Sequence, residues 1–272
     1  MHPVAPSHPV LPVLFGVPHL HFVVTAMEVG NSPALAWVDD THMPTSALIW
    51  DRAHNLYFGG DAHNATFNAS LRDFVVDNLV AEARQRAFGI LKLYAVHDDW
   101  LDEIVTFLPD LSVQAHARVL YRLNPSADLS QPPKLPNHMR LVLIDNELLQ
   151  TPRLTGISAV MQEIEDCWTS PEHFVDQAFG YCIIHDTDGI ISWCTAEYFS
   201  PGVCGIGIET LQPYQRQGLA TITARAFAQH ATRLGWQVNW DAWLKNTPSI
   251  RVAEKIGFEK VLDYQIGVVV LT

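Results

Sequence analysis

Apolar side chains recur at two different periods along this chain, and the switches between them mark its elements. From Gly218 to Leu234 the positions Leu219, Ile222, Ala226, Phe227, His230 and Leu234 share one helical face, with Gly235 as the natural stop. Short apolar runs bounded by turn residues predict strands at 139–144, 179–184, 190–198, 203–211, 238–243 and 261–271. Asp186-Thr187-Asp188-Gly189 and Ser200-Pro201-Gly202 are turn sequences between three of them. Residues 154–168 carry a helical pattern. Asn246 is placed to cap a short helix that Gly257 ends, with Lys255 in its last turn. The predicted order is strand, helix, three antiparallel strands, helix, strand, helix, strand. That is an α+β or mixed α/β fold with a mostly antiparallel sheet.

Upstream, strands are expected at 47–50, 56–58, 90–96 and 117–123, and a short helix at 100–108. A long helix over 67–86 would bury Leu71, Phe74, Val75, Asn78, Leu79 and Ala83. Strand, long helix, strand, short helix, strand is also the order from 203 to 271. Between the halves, Asn124 to Pro136 holds Pro125, Pro132, Pro133 and Pro136 among small polar residues, a loop or linker. The expected domains are residues 1–130, an α/β domain, and residues 131–272.

The chain has 272 residues and a formal charge of -12, from 17 basic and 29 acidic residues. Such a surface repels phosphate backbones, so nucleic acid is not an expected partner, whereas a cationic amine is tolerated. The apolar stretch 10–17 is short, broken by prolines and preceded by no basic residue. It suits neither a signal peptide nor a membrane span. Cys167, Cys182, Cys194 and Cys204 lack CxxC spacing and read as buried thiols of a reducing cytoplasm. His19 and His21 would share a face of a strand, but no carboxylate or cysteine stands beside them. No metal is expected.

The segment with most chemical content is Gln215-Arg216-Gln217-Gly218-Leu219-Ala220, between a strand and the long helix. A glycine there lets backbone approach a ligand, and the helix start offers unpaired N–H groups and a positive dipole end. The turn suits a pyrophosphate, although glycine at such a turn also serves purely steric needs. Asn246-Thr247-Pro248-Ser249 then opens a helix that closes on Gly257-Phe258. Together, with a strand between them, these segments resemble the GNAT acetyltransferase superfamily, whose acetyl-CoA motif is matched by Gln215, Gly218 and Ala220. A closer likeness is to the GNAT group named after zwittermicin resistance. Cys167-Trp168-Thr169-Ser170, Ser192-Trp193-Cys194, Gly207-Ile208-Glu209-Thr210 and Trp240-Asp241-Ala242-Trp243 carry it. The general likeness covers about 139–271, and the upstream half becomes either a degenerate GNAT-like copy without cofactor, walling an acceptor cleft, or an unrelated α/β domain.

The resemblance implies roles for individual residues. Backbone at Ile208, Glu209 and Thr210 would pair with the pantetheine arm of acetyl-CoA, and an N–H there would polarise the thioester carbonyl. The amides of Gln217, Gly218, Leu219 and Ala220 would take the pyrophosphate, aided by Arg216. Asn246 and Ser249 would lie beside the lower arm and the sulfur. An alkylammonium has a pKa near ~10, so a carboxylate, or a water held by one, must take its proton. Glu209 and Asp241 are the candidate bases; the plainer roles are an exposed sheet residue and a structural partner for backbone. Many GNAT enzymes hold a tyrosine where this chain has Ala253, which leaves the general acid open among Tyr264, Ser249 and unaided departure of the thiolate. Trp168, Trp193, Trp240 and Trp243 serve either an acceptor pocket or the core. The implied activity is acetyl transfer from acetyl-CoA to an amine of a small molecule, or of a protein, with longer acyl groups possible and no metal. The alternative is a CoA-binding sensor or structural protein without transfer.

Overall fold

The computed structural model describes residues 1–130 and 134–271. Gln131, Pro132 and Pro133 of the proline-rich segment, where the second expected domain begins, lie outside the described residues, as does Thr272. The strands are β1 (His2–Val4), β2 (Leu35–Val38), β3 (Ser46–Trp50), β4 (Asn55–Gly60), β5 (Ile90–Ala95) and β6 (Val113–Leu123). They continue with β7 (Met139–Ile144), β8 (Gly180–His185), β9 (Gly189–Ser200), β10 (Val203–Thr210), β11 (Gln237–Trp243) and β12 (Phe258–Val270). The helices are α1 (Leu11–Leu14), α2 (Pro18–Glu28), α3 (Ala65–Phe74), α4 (Ala81–Gln85) and α5 (Asp99–Phe107). After them come α6 (Asn146–Leu149), α7 (Ile157–Cys167), α8 (Pro171–Gln177), α9 (Leu219–Arg233) and α10 (Thr247–Ile256).

These elements form two compact units, Met1–Arg118 with Asp263–Thr272, and Val119–Leu262. In the first unit the strands lie in the order β1-β2-β3-β4-β5-β12. Neighbours are antiparallel except β4 and β5. In the second unit the order is β7-β8-β9-β10-β11-β6, with β7 to β10 antiparallel and β10 parallel to β11. Each sheet thus holds five strands in chain order, the fifth parallel to the fourth. Each is completed by a strand from the other half of the sequence. A long helical run follows the fourth strand, and a short helix follows the fifth. The two halves repeat one topology.

The first unit departs from the sequence pattern in three places. Residues 1–40 form β1, α1, α2 and β2, where only a strand at His19 and His21 was expected; Pro12 and Pro18 sit in the first turns of their helices, the positions that tolerate proline. His19 and His21 therefore lie on a helix and not on a strand, and point apart. His19 is buried with Nε2 2.9 Å from the Ala95 carbonyl oxygen, while His21 is exposed. The helix expected over 67–86 runs as α3, a π-helical stretch Val75–Val80, and α4. The wider turn shifts the inward stripe to Val75, Leu79 and Val80, and Asn78 turns to solvent. The core packs Trp50, Phe58, Phe67, Leu71, Leu93 and Trp100.

Asp51 closes the turn from β3 to β4. It is 3% exposed, and its Oδ1 accepts from the backbone N–H of Ala53 (2.8 Å) and of Asn55 (3.0 Å). Burial pushes its carboxyl up to about 6, against the pull of those hydrogen bonds. An acid with a higher pKa folded than unfolded binds more protons when folded. Its contribution is therefore greatest below about pH 4 and is lost as pH rises through about 6, at about 1.4 kcal/mol per pH unit. Asp51→Asn keeps an acceptor oxygen and removes the charge. The melting temperature of this variant, measured relative to the parent, should rise between about pH 4 and pH 7 and then level off. A difference independent of pH would place the buried ionisation elsewhere.

The second unit packs α7 and α8 on one face of its sheet and α9 and α10 on the other. Trp168 (2% exposed) and Trp193 (3%) are core residues, and the indole N–H of Trp168 donates to the Ala196 carbonyl at 2.8 Å. Among the described residues no helix is long and apolar enough to cross a membrane.

Candidate functional site

In the second unit β10 and β11 start together and then part. Their registered pairs are Val203↔Gln237 and Cys204↔Val238. Asn239 sits at the fork, its Nδ2 donating to the Cys204 carbonyl at 3.2 Å. Beyond it β10 pairs only with β9, as far as Thr210↔Ser192, among the described residues. The edge of Ile206–Thr210 that faces β11 is left with its backbone groups turned toward a gap. Ladder groups so placed are available to an extended ligand that can lie as a short strand.

At the end of this gap lies a cavity of about 660 Å³. Ile208, Glu209 and Thr210 line it from β10. After Thr210 a short turn at Gln212–Tyr214 leads to the loop, which Gln215 ties back by donating from Nε2 to the Thr210 carbonyl at 3.1 Å. Arg216 (φ 64°) and Gly218 (φ 83°) are both left-handed, so the loop rises abruptly into α9. No side chain caps α9, so its first N–H groups are left without a capping side chain. A Cβ placed on Gly218 would meet nothing within 4 Å. The glycine therefore fronts open space at a helix start, an arrangement that favours anions. Gly60, before the first unit's long helix, differs: a Cβ there would overlap the Thr45 carbonyl oxygen, and Asn64 caps the helix by accepting from Phe67 N–H at 3.1 Å.

The opposite wall is α10. Asn246 caps it, accepting from Ser249 N–H at 3.3 Å, and Gly257 ends it in the left-handed region (φ 105°). Trp240 of β11 donates from its indole N–H to Ser249 Oγ at 3.0 Å, which fixes α10 on the strand. Asn246, Ser249 and Trp240 all line the cavity, with Leu219 and Ala220 facing them. Arg251 and Lys255 line it too, one helical turn apart, and join Arg216 to give three cations around one opening. Sequence reasoning took Lys255 for a partner of the helix dipole and did not single out Arg251. Basic residues at i and i+4 after an Asn-capped start were the available signal.

Three expected residues fall outside this lining. Gln217 is in the loop, but its side chain donates back to the Pro213 carbonyl at 3.3 Å. Asp241 follows Trp240 on β11 and so turns to the face of the sheet that α7 covers, the face that Glu209 also takes as the cross-strand partner of Trp193. Tyr264 belongs to the first unit, where its ring stacks on His19 with centroids 4.1 Å apart. Ala253, in place of the family's tyrosine, is fully buried in the core. Glu209 lines the cavity and is exposed, with Oε1 accepting from Thr210 N–H at 3.1 Å.

The cysteines stand apart from this chemistry. All four are buried, and none is in a disulfide. Burial pushes the Cys182 thiol up to about 12, and burial, aided by Cys204, Glu197 and Glu163, pushes Cys194 well above the ordinary range. A thiolate nucleophile needs the reverse, an exposed group with a lowered pKa. Among the described residues no three His, Cys, Asp or Glu side chains converge as metal ligands. What the site can hold is a phosphorylated ligand at the Gly218 cradle, with an extended arm running along β10 into the fork.

The family profile of the GNAT acetyltransferases matches residues 14–266. The chain is 24% identical, over 234 residues, to an uncharacterized N-acetyltransferase, YdfB, of Bacillus subtilis (strain 168); the match covers 86% of this chain and 85% of that protein. In fold it resembles a GCN5-related N-acetyltransferase-like protein from Streptococcus suis 89/1591, with a TM-score of 0.72 at 23% identity, covering 94% of this chain and 95% of that one. It also resembles a tandem GNAT protein from the clavulanic acid biosynthesis pathway, with a TM-score of 0.57 at 14% identity, covering 100% and 98%.

Proposed function

The chain belongs to the GNAT acetyltransferase family and is an N-acetyltransferase, and we propose that it moves acetyl from acetyl-CoA to the amine of a small molecule by direct attack. The observation that carries this reading is the open Gly218 cradle, ringed by Arg216, Arg251 and Lys255, at the mouth of the β10–β11 fork. A diphosphate with a long polar arm matches both parts at once. Acetyl-CoA supplies the activated acyl group. The chain supplies position and proton handling. The uncapped N–H groups of α9 and the three cations hold the phosphates. The free edge of Ile208–Thr210 aligns the arm and offers an N–H to the thioester oxygen. Glu209 takes the proton of the incoming ammonium, directly or through a water. Ser249 Oγ already accepts from Trp240, so its own O–H is left to be donated to the departing sulfur. That hydroxyl answers the absence of a tyrosine at Ala253. Direct attack is favoured over an acyl-cysteine route because the thiols are buried and protonated. Four reduced thiols suit a cytoplasmic location.

Release of free CoA thiol, followed across a panel of primary amines, tests the proposal. Turnover with at least one small amine is the expected result. The second reading, a CoA-binding sensor, is favoured by Ala253. CoA binding in calorimetry without thiol release for any amine or peptide would support it and overturn transfer.

A further inference from the structure

Beyond the fork the described pairing of β10 is with β9 alone, so its last peptides are gripped by a ladder on one side. Such a peptide can tilt about the strand axis unless something else holds it. Between Glu209 and Thr210 the extra hold comes from a side chain. Ser192 of β9, the cross-strand partner of Thr210, is fully buried, and its Oγ donates to the Glu209 carbonyl at 2.9 Å. A serine hydroxyl has a single proton to give. With that proton on Glu209, the 2.7 Å contact between Ser192 Oγ and Thr210 Oγ1 runs the other way, with Thr210 as donor. The two hydroxyls form a directed chain, from Thr210 to Ser192 to the Glu209 carbonyl, in which each bond polarises the next.

The carbonyl and the N–H of a trans peptide point in opposite directions. Ser192 holds the Glu209 carbonyl from the β9 side, so the Thr210 N–H of the same peptide faces the gap. There it donates to Glu209 Oε1 at 3.1 Å. One peptide thus joins the buried serine to the exposed carboxylate: Ser192 fixes its oxygen, and its N–H fixes Glu209. A glutamate at a free edge keeps its torsional freedom unless its end is held in this way. Gln215 steadies the following peptide from the loop side, through the Thr210 carbonyl at 3.1 Å.

We propose that Ser192 is a positioning residue for the transfer. It sets the peptide between Glu209 and Thr210 and, through the N–H of that peptide, the place from which Glu209 takes the proton of the acceptor amine. This rests on the acetyl-transfer reading with Glu209 as the base. It extends the site to a buried side chain that does not line the cavity.

Ser192→Ala removes the hydroxyl and opens little space. With the fastest amine of the panel, its kcat/KM at neutral pH should fall about ten-fold, a modest share of what misplacing a reacting group can cost. CoA affinity in calorimetry should stay within about two-fold. The deficit should shrink as pH rises toward about 10, where free amine needs no base. In the Glu209→Gln background the same substitution should cost no further activity, since the group it positions no longer takes a proton. Ser192→Cys keeps the shape with a weak S–H donor and should fall between serine and alanine, which covers the case of an alanine variant that does not fold. Amide hydrogen exchange reads the hold without any acceptor: Ser192→Ala should speed exchange at Thr210 several-fold and leave Ile208 as in the parent. Parent-like kcat/KM for Ser192→Ala beside an impaired Glu209→Gln overturns the positioning role alone. So does a loss that recurs in full in the Gln background or stays constant across pH, because Ser192 would then serve the fold only. Unchanged exchange at Thr210 overturns it as well, even where no amine turns over. Undiminished activity of Glu209→Gln would instead remove the base reading itself, and the role of Ser192 with it.

Discussion

Gly218→Asp should lower the affinity for CoA by at least ten-fold, about 1.4 kcal/mol, in a protein that still folds. The space around a Cβ at this position is open, so nothing in the fold has to move. Asp is also among the few residues that accept a left-handed conformation at modest strain. What changes is the cradle. A carboxylate would stand among the N–H groups of α9, where a phosphate would otherwise lie, and like charges at close range cost about 1 kcal/mol even when fully solvated. Gly218→Asn is the control, because it imposes the same backbone demand and a similar side chain without charge. Calorimetry should find Asn within a few-fold of the parent and Asp far weaker. Equal losses in the two variants would mean that backbone geometry and not charge matters there. No loss in either would remove the loop from the binding site.

Glu209→Gln should lower kcat/KM by about 10²–10⁴-fold, the usual span for loss of a general base, with CoA affinity unchanged. Gln keeps an oxygen to accept from Thr210 N–H, so the local structure has little reason to shift. The deficit should shrink as pH rises toward the amine's own pKa of about 10, where free amine no longer needs a base. A parent-to-variant ratio that is constant across pH would exclude Glu209 from proton removal. Asp241, on the α7 face of β11, would then be the carboxylate to test.

Much of the second unit was legible because its chain changes direction at residues with strong local preferences. Gly218, Asn246 and Gly257 each do what their chemistry dictates, and the loop between β10 and α9 could be placed from them. The strands between Gly180 and Thr210 followed from turn sequences. The segments that could not be read are those whose structure is decided elsewhere in the chain. The prolines of α1 and α2 resemble breaks until one knows that they stand in first turns. A π-helical stretch keeps the composition of an ordinary helix and moves only the phase of its inward residues. Arg251 and Lys255 acquire meaning only when α10 is set across from the Gly218 loop. Ser192 meets the Glu209 carbonyl only when β9 is set in register against β10.

The exchange of closing strands has a consequence for how this protein is made. In the first unit β5 pairs with β12 through Leu93↔Gly267 and its neighbours, yet those residues emerge from the ribosome only after the whole of Val119–Leu262. Until then β5 presents an edge with unpaired N–H and C=O groups, the kind of surface that recruits foreign strands. The contact must also close a very long loop, and such non-local pairing is slow to form. Refolding from denaturant should therefore be slow and should lose yield as protein concentration rises. A fragment ending near residue 130 should be poorly soluble for the same reason. Supplying residues 258–271 as a separate peptide offers β5 its missing partner and should recover part of the soluble yield.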